Sequence, residues 1–278
     1  MPQTFWTFTV LATVALGGLA TLTATTPDAG ARTAGAQTAG ARADDRTPAE
    51  RGPIVLELFT SQGCSSCPPA DRLLTELAAE EAGEVLPMAF HVDYWNRLGW
   101  RDPFSSEAWS KRQRRYAREL PGGRVYTPQL VVDGREHAVG SDRRAVARLL
   151  ADARARSQEG SVELSARIAG GELLAAVGAM ATEAAADEPL GLLLAVVESG
   201  FETPVGSGEN SGRRLREDFV VRRLERMGTV PPGGPAFSRE LRVPLDPEWS
   251  TDQIAAVAFL QHPDRLTIHG AAGWGFGG

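Results

Sequence analysis

Ile54-Val-Leu-Glu-Leu-Phe-Thr60, Ser61-Gln-Gly-Cys-Ser-Ser-Cys67 and Pro68-Pro-Ala-Asp-Arg-Leu-Leu74 follow one another without a break. The first seven residues are largely apolar and β-prone and read as a buried strand. Gly63 permits a sharp change of direction before a Cys-x-x-Cys pair. Beyond it Leu73, Leu74, Leu77 and Ala78 recur at helical spacing, with Asp71, Arg72, Glu76 and Glu80 on the other side. A cysteine at such a helix start meets unpaired backbone N–H groups and the positive end of the dipole, both of which stabilise a thiolate. Cys64 is therefore the expected nucleophile, and Cys67, one helical turn on, the thiol that resolves a mixed disulfide.

Downstream, Val85 to Val92 reads as a second apolar strand, giving a βαβ unit whose crossover should be right-handed and parallel. Asp93 to Phe104 is an aromatic loop. Ser105 or Ser106 then caps a helix running to about Leu120, with Lys111, Arg112, Arg114, Arg115 and Arg118 as a solvated basic face. Asp133-Gly134 between two short apolar runs signals a hairpin, and a helix carrying Val146, Leu149 and Leu150 follows. From about Ser161 the character changes. Short apolar runs such as Leu173 to Val177, Leu190 to Val197, Phe237 to Val243 and Ile254 to Leu260, separated by turn signals, suggest a β-sandwich. The expected fold class is an α/β domain over residues 53–158 followed by an all-β, sandwich-like domain over 161–278.

The length of 278 residues accommodates two such domains, and the net charge of −6 without a basic stripe argues against a nucleic-acid partner. Two cysteines, both in the motif, exclude a disulfide framework and a four-thiolate zinc site. Phe5 to Leu22 is uncharged and largely apolar, so residues 1–26 read as a signal peptide or an N-terminal anchor, although Met1 to Val10 holds no Lys or Arg. Residues 27–52 read as a flexible linker. Export to the periplasm or beyond is the expectation, with membrane contact only through that anchor.

Cys64-Ser-Ser-Cys67 at a strand-to-helix turn and Thr127-Pro128 opening a hairpin resemble the thioredoxin superfamily. Glu57 to Asp71, His91-Val-Asp-Tyr-Trp95, Tyr126-Thr-Pro-Gln129, Gly208-Glu-Asn210 and Phe219 to Arg223 resemble, more narrowly, a secreted bacterial thioredoxin-like family known as a domain of unknown function. The resemblance implies a thioredoxin-like first domain (βαβ, an inserted helix, ββα), a redox-competent pair and an envelope location. It also implies a cis Thr127–Pro128 bond packed against the cysteines, with the Thr127 backbone free to pair with an incoming peptide.

Around the pair, Glu57 is either a proton relay for the resolving cysteine or a carboxylate facing out at the sheet edge. His91 and Asp93 end the second strand, at the sheet edge where ligands gather, and His91 reads as a packed histidine in preference to a metal ligand. Trp95 and Trp100 form a substrate rim or simply anchor the inserted helix. The Ser65-Ser66 dipeptide lacks the histidine of strong disulfide donors, so a mild potential is expected. Glu209, Asn210, Arg213 and Arg214 read as a polar turn. The expected function is that of an exported thiol–disulfide oxidoreductase with Cys64, Cys67 and Pro128 at its centre. It would need no cofactor and act on protein or small-molecule thiols and disulfides. The rival is a non-enzymatic envelope protein that binds a partner, or copper through Cys64, Cys67 and His91.

Overall fold

The apolar run Ile54–Thr60 forms strand β1, buried along its whole length. It belongs to a computed structural model that describes residues 52–276, so the signal or anchor segment and nearly all of the linker fall outside the described residues. Helix α1 (Pro68–Glu80), strand β2 (Val85–His91), helix α2 (Glu107–Glu119), the hairpin β3 (Gln129–Val132) and β4 (Glu136–Val139), and helix α3 (Arg143–Arg154) follow. Asp133 and Gly134 both take positive φ, 48° and 64°, as the hairpin signal requires. Ser106 caps α2, its hydroxyl accepting the Ala108 N–H.

The second half consists of β5 (Gly160–Ala169), β6 (Glu172–Ala181), β7 (Leu190–Glu198), β8 (Phe201–Pro204), β9 (Arg214–Glu217), β10 (Val220–Val230), β11 (Phe237–Pro244), β12 (Ile254–Gln261) and β13 (Ile268–Trp274). These strands lie close to the expected runs, but their assembly differs. The expected thioredoxin-like α/β domain followed by an all-β sandwich is overturned by one mixed eight-stranded sheet in the order β13-β12-β7-β10-β2-β1-β3-β4. Strands from both halves share it. The joint is a parallel bridge between Val220 of β10 and Ala89 of β2, reinforced by the Ala89 N–H donating to Phe219 O at 2.8 Å. Two smaller sheets, β11-β6-β5 and β8-β9, complete the strand set. The chain is mostly β, with three α-helices among the described residues.

Burial on both faces explains the arrangement. On one face of β1, Leu56 and Leu58 pack with α1 and α3 through Ala70, Leu73, Leu74, Val146, Leu149 and Leu150. On the other, Val55 and Phe59 pack with Tyr116 of α2 and with Val197, Val257 and Phe259 of the second half. The sheet coils far enough for β13 to return beside the first hairpin, where the Ile268 N–H donates to Asp133 O at 2.9 Å. Strands β7 and β12 alternate between that shared core and a second one, in which Leu192, Leu194, Val196, Ala256 and Ala258 meet the β11-β6-β5 sheet. Among the described residues no helix is long and apolar enough to cross a membrane.

Candidate functional site

Cys64 and Cys67 are joined in a disulfide, with their Cα atoms 5.4 Å apart. The turn is built from local bonds: the Cys64 N–H donates to Ser61 O at 3.1 Å and the Cys67 N–H to Cys64 O at 3.2 Å. Neither cysteine has exposed surface, whereas Ser65 and Ser66 between them are exposed. The helix begins at Pro68, where the sequence places its first turn. Cys67 is the N-cap of α1, and Pro68 and Pro69 take the next two positions. Prolines carry no N–H, and the N–H groups of Ala70 and Asp71 turn back to Cys67 O. The dipole therefore acts most directly on Cys67, and Cys64 has a different neighbour, the Ser66 hydroxyl, 3.4 Å from its sulfur.

The expected companions of the pair converge here. The Thr127–Pro128 bond is cis. Pro128, Leu58 and Ala70, the last in the first turn of α1, close around Gly140, where an added Cβ would lie 2.7 to 3.5 Å from them. The Trp95 indole donates to the Thr127 hydroxyl at 2.8 Å and the Trp100 indole to Gln62 Oε1 at 3.0 Å, so both rings are pinned to the site by hydrogen bonds. Glu57 is placed apart. It is fully buried on the face of β1 away from α1, where Arg112 donates to both its oxygens at 2.5 and 2.9 Å and the Tyr116 hydroxyl donates at 2.5 Å. Arg112, read from the sequence as part of a solvated face, is buried.

A polar network supports the turn from below. His91 Nδ1 lies 2.7 Å from Asp102 Oδ2, and the same oxygen accepts the Gln62 N–H at 2.8 Å. The Thr60 hydroxyl donates to Asp71 Oδ1 at 2.7 Å. Burial pushes Glu217 of β9 up to about 7 and Asp71 up to about 6. Burial works against a charged His91, but the Asp102 carboxylate, aided by Glu217 and Asp71, outweighs it and raises the imidazole to about 9. His91 Nε2 and Glu217 Oε2 are buried and have no hydrogen-bond partner among the described residues. Asp71, Asp102 and Glu217 were not singled out as site residues in the sequence, because four separate elements bring this cluster together.

The second half also reaches the cysteines directly. In the β8–β9 loop, residues 205–213, the buried Asn210 donates through Nδ2 to Gln62 O at 2.9 Å and to Cys64 O at 3.0 Å. Arg213 holds the other end of that amide, Oδ1, at 2.7 Å. Glu209 accepts the Ser65 N–H at 3.0 Å. The polar turn seen in the sequence is thus part of the site. For metal binding, the group of ligand atoms within 4.8 Å of one another among the described residues is Asp187, Glu188 and His262, not the cysteines with His91. There His262 Nδ1 accepts the N–H groups of Asp264 and Arg265, which leaves the proton on Nε2, facing the two carboxylates as a donor.

A family model described as "Protein of unknown function (DUF1223)" matches residues 55–261, taking in the cysteine turn, His91, Pro128 and the Asn210 loop. The chain belongs to the DUF1223 family. A crystallised protein of Agrobacterium tumefaciens, AGR_C_4864, is similar at 28% identity and a TM-score of 0.61, over 79% of the DUF1223 chain and 92% of its own. HBP35 of Porphyromonas gingivalis shares the fold at 16% identity and a TM-score of 0.61, over 81% of this chain and 76% of its own. No curated protein matches the DUF1223 chain.

Proposed function

We propose that this protein is a thiol–disulfide oxidoreductase of the cell envelope, working through Cys64 and Cys67. The observation that carries the reading is the disulfide itself, which links a turn at the end of a buried strand to the N-cap of α1. A substrate thiolate attacking Cys64 Sγ breaks the S–S bond and expels Cys67 as a thiolate, the leaving group that the helix dipole favours. A second thiol, attacking the substrate sulfur of the mixed disulfide, releases Cys64. Two electrons and two protons pass to the pair as two substrate thiols become a disulfide, and the reverse sequence oxidises the pair. The apolar N-terminal segment and the family resemblance support export.

Replacing Cys67 with Ala leaves Cys64 able to attack but removes the resolving thiol. Mixed disulfides on Cys64 are then expected to accumulate in envelope extracts and to vanish on reduction. An extract that yields none supports the second reading, a static disulfide bracing the turn, which the burial of both sulfurs favours. Replacing Ser66 with Ala removes the hydroxyl beside Cys64. A hydrogen bond to a charged group contributes about 1.5–3 kcal/mol, so the midpoint potential is expected to fall by roughly 30–60 mV, read by equilibration in a thiol buffer. An unchanged potential would show that Ser66 does not stabilise the thiolate.

A further inference from the structure

An attacking thiolate has to reach a sulfur, and both sulfurs are covered. Strand β1 and helix α1 are built into two apolar cores and offer little freedom to uncover them. The β8–β9 loop is different. It lies at the surface, takes positive φ at Gly208 and Gly212, 74° and 81°, and grips the cysteine turn through a few polar contacts. Those contacts fall on backbone groups of the turn: the carbonyls of Gln62 and Cys64 take their protons from Asn210, and the Ser65 N–H is taken by Glu209. Two acceptors and a donor are what a polypeptide backbone can match, because each residue brings one N–H and one C=O. A small thiol cannot.

We propose that residues 205–213 are a cover over the cysteine pair, latched by Asn210 and Glu209, and that a polypeptide segment bearing a thiol or disulfide displaces it. The proposal rests on the oxidoreductase reading and narrows its substrate class to polypeptides. Asn210 and Glu209 are positioning residues in this scheme and take no part in the exchange.

The test measures the rate at which the oxidised full-length protein is opened by dithiothreitol and by a reduced cysteine-containing peptide. Asn210→Ala and the exposed-site variant Glu209→Ala are compared with the unaltered protein. Hydrogen exchange at the Ser65 amide reports whether the latch has been released. Opening by dithiothreitol is expected to rise at least tenfold in Asn210→Ala and at least threefold in Glu209→Ala. The gain should be smaller with the peptide, which displaces the loop unaided. Rates within twofold of the unaltered protein, with Ser65 exchange accelerated, would overturn the cover. Equal gains for both reductants would overturn the polypeptide assignment. These rates exist even for a pair that never turns over in a cell. Faster opening without any mixed disulfide on Cys64 in the Cys67→Ala protein therefore sinks the oxidoreductase reading alone.

Discussion

Arg112→Ala is expected to destabilise the fold by about 3–5 kcal/mol, the cost of leaving one partner of a buried ion pair alone. Arg112 donates to both oxygens of the fully buried Glu57 and to Gln261 Oε1 at 3.1 Å, and it lies over the rings of Phe90, Tyr116 and Phe259. Gln261 in turn donates to the Tyr116 hydroxyl and to Leu266 O. The pair thus sits where β1, α2 and β12 meet, in the core shared by the two halves. Chemical denaturation reads the effect. A double replacement, Glu57→Leu with Arg112→Met, should recover most of the loss, since it removes both charges together. A loss below about 1 kcal/mol in Arg112→Ala would refute a load on this pair.

The second large effect is a fall in stability between pH 5 and pH 9. Glu217, Asp71 and His91 are all raised above their ordinary values, to about 7, about 6 and about 9. A group raised in the folded state contributes fully below its unfolded pKa, and that contribution is lost as pH climbs through the folded value. Asp71 and Glu217 act between roughly pH 4 and 7, and His91 between roughly pH 6.5 and 9. Asp102, held low chiefly by His91 against the opposing effect of burial, works in the other direction and only in acid. Glu217 is 3% exposed, and its share is on the order of 3 kcal/mol. Glu217→Gln should make the fall in melting temperature between pH 5 and 7 shallower, leaving the part that Asp71 contributes, and should also reduce the decline above pH 7, because Glu217 helps to hold His91 raised. A native protein with no slope in the lower window, or a variant whose slope there equals the native one, would show that Glu217 does not titrate there.

Local patterns carried most of the elements and little of their assembly. Leu190 to Val197 and Ile254 to Leu260 are apolar without alternation, the mark of strands covered on both faces rather than of a sandwich with one wet side. That signal was present, and it argued for a shared sheet. Which strands pair was not legible, because Val220 and Ala89 meet across a long stretch of chain and nothing local announces it. Arg112 looked like its basic neighbours. It lies, however, on the helical stripe of Trp109, Tyr116 and Leu120, the stripe that packs into the core. The cysteine turn and the Thr-Pro hairpin were readable from their own residues. Asn210 was not, since its amide serves carbonyls 146 and 148 residues away.

That separation also orders events in time. During synthesis the cysteines emerge well before Glu209 and Asn210 exist, so the nascent chain presents a bare dithiol to whatever oxidant or partner disulfide it meets first. In the folded chain neither cysteine has exposed surface, and the β8–β9 loop is bonded to the turn that carries them. Under the cover proposed above, the redox state acquired in that early window is the one the finished protein inherits until a polypeptide lifts the loop.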